Sequence, residues 1–398
     1  MKIVIAGGGI GGLSAAIALC KVGFEVEVVE RATALQEVGA GLQLSPNATK
    51  GLAALGVLEA VAAISSMPEA LEMRIGRTGQ KVFSIAIAKE ARKRYGAPYL
   101  HAHRADLIDI LARAATHAGA HIRLGARVSA YVHDGAGLRV GLDTGAILPC
   151  DMLIGADGVR STVRRQMHGE EAPRFTGAVA WRATVPAEVA PDLPHAAIVW
   201  AGPGKHAVTY RVRRGALINF VGVVETQEWR SESWDQLGDP VELAKAFGGW
   251  AGPIPDIIAS AGQCFVWALF DRDPLPSWSD DRVTLLGDAC HPLPPFQAQG
   301  AAMAIEDAIV LAKCLQAEGV SPAALQRYEK LRKPRTSKVL ASARANMGVF
   351  HRSNAVTQAA TYGPMKLADR LFPSFVRSRQ DWIYGYDVRN VTIQSPGV

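Results

Sequence analysis

Three glycines near the start of the chain have a spacing that can hold a diphosphate. Gly7, Gly9 and Gly12 form the pattern G-x-G-x-x-G. The first glycine of this pattern permits a tight turn, the second lets a pyrophosphate approach the backbone, and the third lets a helix pack close to a strand. Glu30 follows Gly7 by 23 residues, where a carboxylate can accept hydrogen bonds from a ribose. These residues predict a site for an ADP-containing dinucleotide, and this unit alone leaves FAD and NAD both open.

The segments around the glycines predict the elements that hold them in place. Residues 2–6 are apolar and β-branched, as in a buried strand, and residues 13–22 are Ala-rich without Pro or Gly, as in a helix. Gly23 ends that helix, and residues 25–30 form a second strand pattern. Strand, glycine turn, helix and strand in this order are typical of a doubly wound α/β domain, in which the N–H groups at the helix start face the phosphates.

Two further acidic residues follow predicted buried strands. Asp157 comes after residues 152–155, and Asp288 comes after residues 283–287. Taken alone, an aspartate at such a position is equally well explained as a helix N-cap or a turn residue. Arg104 stands at the entrance of a predicted helix, where a cation can reach a phosphate. The three side chains are therefore candidates for contacts with the dinucleotide.

A β-rich segment supplies a second kind of chemistry. Residues 177–270 contain a series of strand patterns, which predict a second domain built on an antiparallel sheet that holds the substrate. His206 and Tyr210 lie on one face of one of these strands, because side chains alternate with a period of two. A neutral histidine can act as a general base at neutral pH. The alternative is a packed histidine beside a packed tyrosine.

Composition excludes several classes of protein. The chain has 398 residues, 49% of them hydrophobic, with no apolar run long enough for a transmembrane helix. Its net charge of +6 is mild and no block of like charge predicts a nucleic-acid surface. The five cysteines are scattered without C-x-x-C spacing, which predicts neither a disulfide framework nor a metal site. We therefore expect a cytoplasmic protein that binds neither nucleic acid nor membrane.

The motifs occur in an order that matches a known family. The glycine turn with Glu30, the Asp157-Gly158 motif and the Gly287-Asp288 motif resemble those of the flavoprotein aromatic hydroxylases of the p-hydroxybenzoate hydroxylase type. Within that family the chain is most similar to the salicylate, 3-hydroxybenzoate and 6-hydroxynicotinate hydroxylases. The likeness extends over nearly the whole chain, including residues 298–307 and the closing segment 382–386.

The resemblance implies a reaction and its cofactors. It implies non-covalent FAD, with NADH or NADPH as a transient co-substrate that needs no Rossmann domain of its own. It implies hydroxylation of a small phenolic aromatic acid by O₂ through a flavin C4a-hydroperoxide. His206 and Tyr210 would then be the catalytic pair on the substrate. Relatives are expected to carry a His or Gln at a substrate-contacting turn where this chain has Pro295, Phe296 and Gln297, so the ring substituents stay open.

The motifs and the resemblance together give a set of cofactor-binding residues at turns and helix starts. Arg31 would lie near the adenosine, and the helix that begins after Gln299 would point at the flavin and stabilise negative charge on its reduced form. The predicted set is Gly7, Gly9, Gly12, Glu30, Arg31, Gly41, Arg104, Asp157, Gly158, Gly287, Asp288, Gly300 and Ala301.

The predicted organisation has three parts. The FAD-binding domain comprises residues 1–70, 97–176 and 275–320. The substrate-binding sheet comprises 71–96 and 177–274, and residues 321–398 form a C-terminal helical region with a break at Pro334. The aromatic C-terminus is expected to dock on the body and to support a homodimer.

Two other functions are compatible with the same residues. One is an FAD-dependent monooxygenase, epoxidase, reductase or oxidase that acts on a larger quinone- or terpenoid-like substrate. The other is a non-catalytic binding protein that kept the dinucleotide fold, as the GDP-dissociation inhibitors did. The intact Glu30, Asp157 and Asp288 argue against the second alternative.

Overall fold

A mainly parallel sheet carries the glycine turn at its centre. The computed structural model describes residues 1–35, 41–135, 137–171, 174–227 and 236–393. The strands are β1 Lys2–Ala6, β2 Glu25–Glu30, β3 Gly41–Leu44, β4 Ala70–Ile75, β5 Lys81–Ala86, β6 Leu100–His103, β7 His121–Leu124, β8 Val128–Asp134, β9 Gly137–Leu142, β10 Ile147–Cys150, β11 Met152–Gly155, β12 Arg174–Pro186, β13 Ala196–Gly202, β14 Lys205–Val212, β15 Leu217–Glu225, β16 Phe265–Asp271, β17 Ser279–Asp280 and β18 Val283–Leu285.

The described residues also form a set of helices. They are α1 Ile10–Lys21, α2 Pro46–Leu55, α3 Leu58–Ile64, α4 Ala88–Tyr95, α5 Arg104–His117, α6 Thr162–His168, α7 Pro240–Ala246, α8 Ile254–Ala259, α9 Gly300–Glu318, α10 Pro322–Phe350, α11 Ala355–Leu371, α12 Pro373–Ser378 and α13 Asp381–Tyr384. No described helix is long and apolar enough to cross a membrane.

The first sheet has the strand order β17-β18-β11-β1-β2-β7. β1 pairs in parallel with both β2 and β11, and β11 pairs in parallel with β18. The two aspartate motifs therefore follow strands that end at the same edge of the sheet as the glycine turn, because parallel strands share their carboxyl edge. This edge is the place where such sheets bind ligands. β8, β9 and β10 form a separate antiparallel sheet beside it.

The second large sheet has the order β16-β12-β15-β14-β13-β4-β5. It is antiparallel except for the pair of β4 with β13, which is parallel. One face packs under α7 and α8 through a buried aromatic cluster that includes Trp181, Trp200, Phe220, Phe247 and Trp250. The opposite face carries His206 and Tyr210, and it turns towards the first sheet and the C-terminal helices.

The predicted break at Pro334 is wrong. α10 runs without interruption from Pro322 to Phe350, with Pro334 inside it. A proline in a helix interior removes one hydrogen bond and costs about 3 kcal/mol. Here ion pairs on either side of the proline compensate for that cost. Arg332 and Arg335 both pair with Glu306 of α9.

The aromatic C-terminus docks on the body of the same chain, as the sequence predicted. Lys50 of α2 donates to the backbone carbonyl oxygens of Tyr384 and Tyr386 at 3.1 and 3.2 Å. The guanidinium of Arg335 lies 3.9 Å from the centre of the Tyr386 ring, a cation–π contact. The three-part domain division stays a prediction.

Candidate active site

The glycine turn leaves room for a ligand at one glycine and none at its neighbours. A Cβ added to Gly12 would lie 1.9 Å from the Gly7 carbonyl oxygen, and one on Gly7 would lie 2.4 Å from the Ala156 oxygen. A Cβ on Gly9 would meet nothing within 4 Å. The Gly8 N–H donates to the Glu30 carboxylate at 2.7 Å. This open space in front of a helix start fits a pyrophosphate.

Arg104, Arg182 and Asp288 bring three elements to one cleft. Arg104 begins α5 and is half-buried; burial and the nearby Arg182 of β12 lower its pKa to about 10, while Asp288 acts in the opposite direction. The Asp288 side chain is solvent-accessible, yet burial of its surroundings raises its pKa against the effects of His291 and Arg104. A carboxylate that is both accessible and closely surrounded by protein lines a cleft and can accept hydrogen bonds from a bound polyol.

Asp157 is used mainly by its own helix. Its Oδ2 atom accepts from the backbone N–H of Thr162 at 2.7 Å and of Val163 at 3.4 Å, at the start of α6. Its Oδ1 atom is buried and has no hydrogen-bond partner within the described part of the chain. Burial raises the pKa of this carboxyl. Asp157 thus has one oxygen engaged in capping and a second left over for a ligand.

A hydrogen-bonded network fixes the start of α9. The Gln299 side chain donates to Ser45 at 3.0 Å and accepts from Asn47 at 3.0 Å, and Asn47 also donates to Glu306 at 2.8 Å. The N–H groups of Gly300 and Ala301 precede the first possible intrahelical bonds, as at any helix start. The first turn of α9 is therefore held rigidly, with partial positive charge at its end.

His206 and Tyr210 share one face of β14 and stand about 13 Å apart, at roughly 3.3 Å per residue. This face of the second sheet, here called the inner face, is apolar between the two residues. Val208 pairs with Val221, and both side chains are partly exposed although they lie in the middle of the sheet. Arg182 lies beside Val221 on the next strand. Partly exposed side chains at the centre of a sheet indicate a cavity above them.

His206 is buried among aromatic rings. Its ring lies 5.6 Å from that of Phe296 and 5.2 Å from that of Phe350, measured between centroids. Its Nδ1 atom is 2.6 Å from Nε2 of His351. Burial, with His351 beside it, holds the pKa of His206 well below its usual value, so the ring is neutral at pH 7.

Tyr210 lies at the end of the same face that contacts β3 and β6. Its ring is 4.7 Å from that of His101, and a Cβ on Gly41 would lie 2.5 Å from its edge. The Gly41 N–H donates to Asn219 at 2.6 Å, which fastens β3 to the sheet. Burial raises the pKa of Tyr210, so its hydroxyl stays protonated.

The three predicted substrate residues in the turn before α9 have different environments. Phe296 is buried against His206, Pro295 is exposed, and Gln297 accepts from Asn346 of α10 at 2.6 Å. Only Phe296 is thus brought to the histidine. Ala298 closes the turn with a φ of +52°, in the left-handed region that favours glycine.

The remaining predicted residues lie at turns around the cleft. Gly158 and Gly287 adopt positive φ values of 75° and 64°, and a Cβ on Gly300 would meet nothing within 4 Å. Arg31 is exposed after β2. Their contacts with a cofactor stay predictions.

The sequence analysis did not identify Arg182 and His351 as site residues. Arg182 could have been noticed, because it is a cation within the apolar part of β12. Its guanidinium stacks on Trp267 at 4.5 Å, and its Nε has no hydrogen-bond partner among the described residues. The sequence gives no signal for His351, because it lies 145 residues from His206 and no local pattern connects the two.

Comparisons with known proteins find similarity over nearly the whole chain. Residues 1–343 match the family model of an FAD binding domain. The chain is 36% identical to 3-amino-4-hydroxybenzoate 2-monooxygenase PtnB3 of Streptomyces platensis over 98% of this chain and 97% of that protein. It is 35% identical to 3-hydroxybenzoate 6-hydroxylase 1 of Aquipseudomonas alcaligenes over 96% and 97%. A variant of HpxO from Klebsiella pneumoniae complexed with FAD superimposes with a TM-score of 0.85 at 27% identity, over 97% of this chain and 99% of that one.

Proposed function

Because the chain belongs to the FAD-binding family of flavoprotein aromatic hydroxylases, we propose that it uses NAD(P)H and O₂ to hydroxylate a small phenolic aromatic acid. The observation that carries the substrate class is the inner face of the second sheet. It presents a neutral histidine, a protonated tyrosine and an arginine, Arg182, around an apolar strip; the Nε atom of Arg182 has no hydrogen-bond partner in the part of the chain that the structure describes. A flat ring with a hydroxyl at one end and a carboxylate at the other matches that arrangement.

The cofactor fits the residues at the edge of the first sheet. The glycine turn and Arg104 would hold the pyrophosphate, Glu30 the adenosine ribose, and Asp288 the ribityl chain. When bound and reduced by NAD(P)H, FAD would activate O₂ for transfer of one oxygen atom to the substrate ring. The start of α9 would stabilise negative charge next to the flavin, because the partial positive charge of a helix N-terminus favours anions.

His206 would prepare the substrate by holding its ring hydroxyl. A neutral imidazole accepts the hydroxyl's proton, and the resulting phenolate donates electrons to the ring and raises its reactivity towards an electrophilic oxygen. The rings of Phe296 and Phe350 around His206 keep water away from the place where the oxygen is transferred.

Arg182 would hold the substrate carboxylate. Stacking on Trp267 fixes its guanidinium plane, and burial lowers its pKa without removing its charge at neutral pH. Tyr210 interacts electrostatically with Arg182 and can donate a second hydrogen bond to the same group. Binding a carboxylate here would relieve the cost of a desolvated cation.

A substrate screen tests the proposal directly. Purified holoenzyme is mixed with monohydroxylated benzoates and hydroxypyridine carboxylates, and NAD(P)H oxidation and product mass are measured. We expect at least one ligand of this class to stimulate oxidation and to gain 16 mass units, whereas benzoate without a hydroxyl gains none. Turnover confined to larger quinones or terpenoids would contradict the substrate class.

Changing Arg182 to Gln is expected to raise KM for the carboxylate substrate by about 10- to 100-fold, because a hydrogen bond to a charged group is worth about 1.5–3 kcal/mol. The matching phenol without a carboxylate should bind wild type and variant equally. Steady-state kinetics with both ligands measure this. Arg77→Gln, at an exposed arginine of the same sheet region, is the control. An equal loss with both ligands would mean that Arg182 only supports the fold.

Changing Asp288 to Ala is expected to weaken FAD binding by about 1.5–3 kcal/mol, because a charged acceptor of ligand hydrogen bonds is lost. Titration of the apoprotein by flavin fluorescence measures the affinity, and thermal melting of the apoprotein reports on the fold. Asp192→Ala, at an exposed acid in a loop, should leave both unchanged. If the Asp288 variant binds FAD as wild type does, the residue serves only the turn.

We also propose that the protein forms a homodimer. The aromatic C-terminus is used within the chain, so another surface would be needed. An apolar surface that a second copy would cover lies on α11, α12 and the residue between them. Its members are each more than half exposed: Leu367, Leu371, Phe372 and Phe375.

A further inference from the structure

A chain of hydrogen bonds leads from His206 to the protein surface. Nδ1 of His206 is 2.6 Å from Nε2 of His351, and Nδ1 of His351 is 2.7 Å from Oε1 of Glu225. Both histidines are buried, whereas the Glu225 side chain is 48% exposed. The three side chains come from β14, the C-terminal end of α10 and the end of β15, and they span the wall between the cleft and solvent.

The direction of these bonds follows from the chemistry of the end group. The Glu225 carboxylate can only accept, so Nδ1 of His351 carries a hydrogen and its Nε2 is an acceptor. Nδ1 of His206 must then donate to that Nε2 atom. This leaves Nε2 of His206, on the opposite side of the ring, as an acceptor for the substrate's hydroxyl. The chain thus fixes the tautomer in which His206 can act as a base.

We propose that His351 and Glu225 carry the proton of the substrate's ring hydroxyl from His206 to solvent. This inference rests on the proposed function. The hydroxyl O–H bond breaks as an N–H bond forms at Nε2 of His206, whose Nδ1 hydrogen passes to Nε2 of His351. The Nδ1 hydrogen of His351 passes to Glu225, which releases it to water. The reverse movement reprotonates the product oxygen and restores both tautomers, so the path needs no other reactant.

The surroundings favour transfer over storage of the proton. Burial lowers the pKa of His206 and also that of His351, although Glu225 acts in the opposite direction on His351. Neither imidazole is therefore a stable resting place for a charge. Two neighbouring titratable groups form hydrogen bonds with the backbone. Tyr362 donates to the Val349 carbonyl oxygen at 2.9 Å, and Lys205 donates to the Ala246 carbonyl oxygen.

His351 and Glu225 act through His206 and are therefore positioning residues. The test uses the oxidised holoenzyme without NAD(P)H, so that no turnover occurs. 3-Hydroxybenzoate is mixed rapidly with protein in weakly buffered solution, and a pH indicator follows the released proton while ultraviolet absorbance follows the phenolate. Wild type should ionise the bound ligand and release a proton. His351→Gln and Glu225→Gln should each slow that release by about 10-fold or more, with ligand affinity changed less than threefold.

The controls are His195→Gln and Glu188→Gln, which make the same changes at exposed positions of the same domain and should behave as wild type. Glu225 is at the surface, so its variant keeps the test valid even if the His351 variant fails to fold. Proton release at the wild-type rate in the Glu225 variant overturns the relay while leaving the proposed function intact. Wild-type protein that binds the ligand but leaves it protonated overturns the relay and the assigned role of His206 together.

Discussion

The His206→Ala variant is expected to oxidise NAD(P)H when substrate is present but to form about 10²- to 10⁴-fold less hydroxylated product. In the proposed mechanism the substitution removes the group that accepts the ring hydroxyl's proton. The glycine turn, Arg104 and Asp288, which we propose as the cofactor-binding residues, lie on other elements. Reduction should therefore continue, and the reducing equivalents should appear as hydrogen peroxide. Product is measured by mass and peroxide by a coupled assay.

The control for this prediction is His195→Ala, at an exposed histidine of the same domain. It should couple NAD(P)H to product as wild type does. If the His206 variant also couples normally, then His206 is a packed histidine and the base lies elsewhere in the cleft.

The Arg332→Met variant is expected to lose about 3–5 kcal/mol of stability at neutral pH, because it leaves buried carboxylates without their partner. Arg332 is fully buried and lies 2.7 Å from both Glu306 and Asp307 of α9. Asp307 is also 2.5 Å from His291. Thermal or urea unfolding of the apoprotein measures the loss. Lys330→Met, on the exposed side of the same helix, should change little.

The loss should depend on pH in a defined direction. Burial alone would raise the pKa of Asp307, but His291 and Arg332 together outweigh it and hold that pKa below its usual value. A carboxyl with a lowered pKa stabilises the fold at neutral pH, and this contribution disappears as pH falls below about 4. The difference between wild type and Arg332→Met should therefore shrink in acid. A difference that grew on acidification would contradict the ion-pair account.

Local sequence patterns predicted most of the scaffold. The glycine turn, the strands on either side of α1 and the strand–aspartate motifs depend on residues close in sequence, where turn chemistry and periodicity act directly. The shared face of His206 and Tyr210 followed from alternation along one strand. The family resemblance added the cofactor and the reaction, which local patterns alone left open.

Contacts between distant residues could not be read in the same way. Pro334 was expected to interrupt a helix because of its own backbone chemistry, and ion pairs from Arg332 and Arg335 to α9 override that preference. His351 reaches His206 only because α10 returns across the second sheet. For Arg182 the sequence does show a signal, because a charged residue stands among apolar residues of a strand. Its position beside the cleft, however, depends on the register of β12 with β15.

The most direct test of the central claim is a reaction under ¹⁸O₂ with a phenolic acid from the substrate screen. A hydroxylase of this family should incorporate one labelled oxygen atom into the ring of the product and consume one NAD(P)H for each product formed. We expect the product mass to rise by 18 units relative to the substrate under the label. A product that carries no label, or NAD(P)H oxidation that yields only hydrogen peroxide with every phenolic acid, would contradict the account.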